Sequence, residues 1–189
     1  MIRKLEGFDK YIVIAGFGNV KIKNVDKFFF HVKEKTGNAC VQFFDAKRVA
    51  SWQHLYFAVL NAATAFKNKL HISNNLAIEI LLYASAHRQI KKAVKLIGIH
   101  PSSREVAVVI MANTSNKASS LLNMISTLLV GSIRDDKLLE LTNDKIEGIK
   151  DLFEISDIEL EAKMEKEDEK KEALIDLVIE HAALLVTQR

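Results

Sequence analysis

Glu79 sits in the apolar run Leu76-Ala-Ile-Glu-Ile-Leu-Leu82 and is the carboxylate best placed to do chemistry. Burial disfavours the charged form of a carboxyl group, which is how a general acid or base is tuned, and His54 or His87 would complete an acid/base pair with it. The same carboxylate has a plainer use, capping a neighbouring backbone amide or pairing with Arg88 or another cation. Buried, paired carboxylates outnumber catalytic ones, so these residues define no enzyme class.

Other chemistries have less support. Cys40, within Ala39-Cys-Val41, is the one cysteine, which excludes an intramolecular disulfide and multi-cysteine zinc or iron–sulfur sites. A lone cysteine in an apolar run reads as packing. Gly16-Phe-Gly18 has no third glycine at the offset of a dinucleotide-binding turn, and no phosphate loop is present. His54 and His71 are too far apart to share a helix face as metal ligands, and His87 lies beside no acidic cluster. These residues therefore define no catalytic and no metal site.

Cations carry the remaining signal. Arg88, Lys91, Lys92 and Lys95 fall in one short segment, with Lys91 and Lys95 on a common helix face and Arg88 one turn earlier. Lys67, Lys69 and His71 follow the preceding long helix and could extend the patch. Phosphate-contacting cations are what a nucleic-acid site requires, although a solvated helix face uses the same residues. Net charge is +3, but unevenly distributed. Residues 1–100 hold 16 Lys+Arg and 6 Asp+Glu, a balance of +10; the remainder holds 11 and 18, a balance of −7. That asymmetry fits different partners on different surfaces.

The elements that must position these residues follow from hydrophobic pattern. Tyr11–Gly16, Asn38–Phe44 and Glu105–Ala112 read as strands. Helices are expected over Val25–Lys35, stopped by Gly37, and along a stripe from Val49 through Leu55, Val59 and Ala62 to Phe66, with Asp45 as its N-cap. Further helices are expected over Leu76–Ala84, capped from Ser73-Asn-Asn75, and over Arg88–Ile97, capped by Ser85, with Ile90, Ala93, Val94 and Ile97 as its apolar stripe. More follow at Leu121–Leu129, Asn143–Phe153 and the C-terminal stripe Leu174, Leu177, Val178, His181, Leu184 and Leu185. The charged segment Glu159–Lys171 has Glu159→Lys163 and Glu167→Lys171 pairs at the spacing of a solvated helix. Irregular alternation of strands and helices predicts an α+β fold: a small, largely antiparallel or mixed sheet packed with several helices, as a single domain over 1–189 with a charged helical insertion at about 157–171. No apolar stretch reaches the roughly 20 residues that span a bilayer, so a cytoplasmic protein without membrane contact is expected.

The run Glu79-Ile-Leu-Leu-Tyr-Ala-Ser85, then Arg88-Gln-Ile90, Ala93 and Gly98, resembles the signature of the small kinase-binding subunit of the KEOPS (EKC) complex, the family of human PRPK-binding protein. Phe44-Asp-Ala46, His54-Leu55, Ala58, Asn61-Ala62 and Ala65-Phe66 resemble its upstream strand and helix. Asp136, Leu138–Leu141 and Glu180-His-Ala-Ala-Leu-Leu185 resemble its second half, in an archaeal form. Ala86 departs from the pattern, standing where glycine is common. The resemblance implies a non-catalytic subunit without a cofactor. Such a subunit docks directly on the atypical small kinase/ATPase subunit, meets other KEOPS subunits indirectly, and recruits tRNA by its 3′ CCA end. The complex makes N6-threonylcarbamoyladenosine next to the anticodon. On that reading Arg88, Lys91, Lys92, Lys95, Lys67, Lys69 and His71 are the RNA-contacting candidates. Leu177, Leu184 and Leu185 are the candidates for a helix laid into a groove of the kinase. The alternative is a regulator of the kinase subunit that touches no RNA.

Overall fold

The computed structural model describes residues 2–164, 166 and 169–187. The protein is α+β, with its strands in one antiparallel sheet among the described residues. Contacts divide the chain into two compact units, Met1–Ala46 with Gly98–Leu138 and Lys47–Ile97 with Leu139–Arg189.

The first unit holds the sheet. Strands β1 (Ile2–Leu5), β2 (Lys10–Gly18), β3 (Cys40–Asp45) and β4 (Val106–Ala112) lie in the order β1-β2-β4-β3, and β5 (Ile133–Arg134) pairs with the far end of β2. The apolar runs recognised in the sequence are β2, β3 and β4. Val13, Ala15 and Phe17 alternate onto the same core as Val41, Phe43, Val108 and Ile110. That core is closed by α1 (Val25–Thr36) and α5 (Ser115–Leu128), which contribute Val32, Leu121 and Ile125. The Asn24 side chain caps α1 by accepting from the Lys27 amide, and Gly37, at φ 61°, ends it as expected. Strands β1 and β5 were not expected: β1 is Ile-Arg-Lys-Leu with only Leu5 buried, and β5 is two exposed residues.

Gly16 explains how β5 and the turn after it fit. A Cβ on Gly16 would lie 2.3 Å from the Asp135 carbonyl oxygen. The Asp135 amide donates to the Gly16 carbonyl at 2.9 Å, and an Asp136 carboxylate oxygen accepts from the Gly16 amide at 3.1 Å. Gly16 is thus a point of close backbone approach and not part of a nucleotide turn.

The second unit is helical: α2 (Trp52–Lys67), α3 (Leu76–Ser85), α4 (Ile90–Ile97), α6 (Ile146–Phe153), α7 (Asp157–Lys163) and α8 (Lys170–Leu184). Two capping assignments need correction. Asp45 ends β3, a 3₁₀ turn (Ala46–Arg48) intervenes, and Ser51 caps α2 by accepting from the His54 amide. Ser85 belongs to α3, where its hydroxyl donates to the Leu82 carbonyl and accepts from the His87 amide. Asn75 caps α3 as expected. The turn after α3 is made by Ala86 itself in the left-handed region, at φ 53°, ψ 28°.

The charged segment also differs from expectation. Glu159 folds back on Ser156 as a capping box, and Lys163 bonds to Glu180 on α8, so the Glu159→Lys163 pair does not form. Leu160 is buried in the unit's core with Ile149, Phe153, Leu174 and Val178. Glu167 lies outside the described residues.

His54 ties α2 to α3. Its ring is fully buried, Nε2–H donates to the Ala84 carbonyl at 2.8 Å, and Nδ1 accepts from the Ala50 amide at 3.4 Å. Burial pushes its pKa down to about 4, against a smaller opposing effect of the Ala84 bond. The neutral ring is what the fold holds.

Gly16→Ala should destabilise the protein by about 2–3 kcal/mol in urea unfolding, since backbone must move. Gly18→Ala meets its nearest atom, Leu138 Cδ1, at an ordinary 3.5 Å and should cost under about 1 kcal/mol. For His54, the unfolded state binds the extra proton between its ordinary value and about 4, so stability is complete above that window and falls as pH drops through it. The loss should reach about 3 kcal/mol by pH 4 and be absent in a His54→Gln variant, measured by denaturant midpoints across pH.

Candidate functional site

The acid/base pair does not assemble. Glu79 is fully buried, and its carboxylate accepts from the Ile72 amide at 3.0 and 3.1 Å and from the Ser73 amide at 2.7 Å. This is the backbone-capping role, and it closes the loop between α2 and α3. His54 is engaged at the other end of α3, with both nitrogens bonded to backbone. His87 lies just past that same end, its pKa held below the ordinary value by partial burial and then by Lys92. The half-buried Cys40 has its thiol pushed up to about 12 by burial, which makes it a packing residue and not a nucleophile.

A cluster that the sequence did not suggest lies in the first unit. Buried Asp45, at the end of β3, accepts from Ser103 Oγ at 2.6 Å and faces His100 Nε2 at 3.1 Å, while Ser102 Oγ lies 2.5 Å from His100 Nδ1. The order serine–histidine–aspartate is that of a proton relay. However, Ser103 Oγ also accepts from the His100 amide and the Ser103 amide bonds to the His100 carbonyl, so the set closes one tight turn onto the end of β3. It is a polar clamp. Residues so distant in sequence gave no spacing by which to pair them.

The cationic residues separate into two groups. Lys91, Lys92 and Lys95 are exposed on α4 and form no ion pair among the described residues. Of the expected apolar stripe, Ala93 and Ile97 are buried, whereas Ile90 and Val94 remain 44% and 46% exposed between the lysines. The result is a mixed basic and aliphatic face. Its position is fixed by Arg48, whose Nη1 donates to the Lys95 and Leu96 carbonyls at 3.1 and 2.6 Å and so caps the C-terminus of α4. Arg88 is exposed, but its Nη1 donates to the Leu185 carbonyl at 3.3 Å, so it also anchors the chain after α8.

Lys67, Lys69 and His71 do not extend this face. His54, early in α2, meets the last turn of α3, and Arg48 meets α4 near there; Lys67 closes the opposite end of α2, about 20 Å along the helix axis. His71 is half-buried and stacked on Phe66, with ring centroids 4.4 Å apart. The three leucines also separate. Leu177 and Leu185 are buried, leaving Leu184, 53% exposed, as the one available to a partner. The helical period placed them on one stripe but could not show how much of it the core covers.

Glu79 and His54 are thus turned to backbone, and α4 is left with a basic, partly apolar exposed face. The family model described as kinase binding protein CGI-121 matches residues 17–185. The regulatory protein Cgi121 of Methanocaldococcus jannaschii is 31% identical over 114 residues, covering 60% of this chain and 70% of that protein. The chain belongs to the CGI-121 family, the kinase-binding subunits that Glu79–Ile90 resembles.

Glu79→Gln removes a charged acceptor from buried amides and should cost about 1.5–3 kcal/mol. A lowered melting temperature is expected; loss of complex activity at unchanged melting temperature would contradict the capping role.

Proposed function

We propose that this kinase-binding regulatory protein also recruits tRNA through its 3′ CCA end and supports N6-threonylcarbamoyladenosine formation by a KEOPS complex in the cytoplasm. The observation that supports this reading is α4: Lys91, Lys92 and Lys95 are exposed and unpaired among the described residues, with Ile90 and Val94 between them. Cations for the phosphates of a single-stranded end are what these three lysines supply. Chemistry belongs to another subunit on this reading, with the chain as positioning partner of the atypical kinase/ATPase.

A second reading, a regulator that meets the kinase without RNA, draws on exposed Leu184, Ile90 and Val94, which would serve a protein partner equally well.

Gel-shift titration with intact and CCA-trimmed tRNA separates the two. Lys91→Glu with Lys95→Glu should weaken binding of intact tRNA about tenfold or more at low salt and lessen the salt dependence. Trimming should have a similar effect. Equal binding of trimmed and intact tRNA, unaffected by the double variant, would reject recruitment through the CCA end, and absence of binding to either would favour the protein-only reading. Arg88→Glu is a poorer probe because it also breaks the bond to Leu185.

A further inference from the structure

The first unit has its own cationic groove. Chain entering α1 and chain leaving α5 enclose a cavity of about 300 Å³, lined by Lys21, Lys23, Lys27, Phe28, His31 and Val130 among others. Its walls are fixed. Asn19, itself left-handed at φ 57°, donates from Nδ2 to the Gly131 carbonyl at 3.1 Å, and the Val20 amide donates to the Arg104 carbonyl at 2.9 Å. Phe28 is held edge-on against Phe43 at 5.0 Å and Phe29 at 6.0 Å.

Lys21, Lys23 and Lys27 are exposed and form no ion pair among the described residues, so three positive charges meet at one concavity uncompensated. Val130, 82% exposed, and the exposed His31 line the concavity with them, and Phe30, 61% exposed, lies beside it, edge-on to His31. Lys27 and His31 are one helical turn apart on the same face of α1. Cations that track a backbone beside aromatic faces that accept bases are the two components of single-strand recognition. An acidic peptide would use the lysines but has no need of exposed rings.

We propose that this groove binds a single-stranded RNA segment, making a second RNA contact in a different unit from α4. The inference extends the RNA reading above, yet depends on none of the α4 residues.

The test uses the full chain and a fluorescent single-stranded oligouridylate without a CCA end. Lys21→Glu, Lys23→Glu and Lys27→Glu combined should weaken oligonucleotide binding more than about tenfold and reduce the magnitude of the salt slope by about 2, from three lost contacts to single-stranded phosphates. Phe30→Ala should weaken it several-fold without changing that slope. Repeated in the Lys91→Glu, Lys95→Glu background, which removes the α4 contacts, the triple substitution should weaken oligonucleotide binding by the same factor, so failure at α4 and failure at the groove are read separately. The proposal is overturned if the triple variant stays within about twofold of the unsubstituted protein. It is equally overturned if a polyglutamate peptide of matching length competes as well as RNA.

Discussion

Two buried polar side chains fasten the α2–α3 pair at its two ends, and the arrangement of the helical unit rests on them. Glu79 gathers the Ile72 and Ser73 amides at the loop end, and His54 meets the Ala84 carbonyl at the other. A fully buried carboxylate is tolerated only where charged hydrogen bonds replace its water, and a fully buried imidazole only where it stays neutral. Both conditions are met by backbone groups that the loop and the helix end would otherwise leave unpaired. Each side chain therefore meets its own desolvation requirement and the backbone's together.

With α3 fixed at both ends, α4 has little freedom. Ala86 turns the chain in a left-handed conformation, at a cost of roughly 1 kcal/mol relative to glycine that tertiary packing must offset. Arg48 then secures the far end of α4 by its last carbonyls, and Arg88 secures the near end to the residue after α8. Holding a short helix by arginine contacts at both ends leaves its lysines and two aliphatic side chains uncommitted. That is how a helix with few buried residues can present a defined surface.

Much of this was legible in residues alone, and the exceptions share a cause. Strands β2 and β4 announce themselves through apolar runs rich in β-branched residues, and Glu79 through its apolar neighbours. The family string at Glu79–Ile90 carried the kinase-binding assignment. What was misplaced required knowledge of a partner segment. Asp45 and Ser51 are both good N-caps; the outcome was decided by a 3₁₀ turn and by the demand of Ser103 and His100 on the Asp45 carboxylate. Arg88 reads as a free cation until the chain beyond α8 supplies a carbonyl to it. Ile90 and Val94 have the period of a core stripe, but period does not report how wide the covering neighbour is.

The close approach at Gly16 bears on how the sheet is kept from pairing with other chains. β4 occupies one side of β2, while the other side is divided between β1, opposite Lys10–Val13, and β5, opposite Phe17 and Gly18. The gap between them would be an open stretch of ladder in an apolar strand, the kind of template on which aggregation begins. Gly16 lies in that gap, and because it has no side chain, Asp135 and Asp136 can reach its carbonyl and amide directly. A missing methyl group thus makes the sheet's boundary self-terminating.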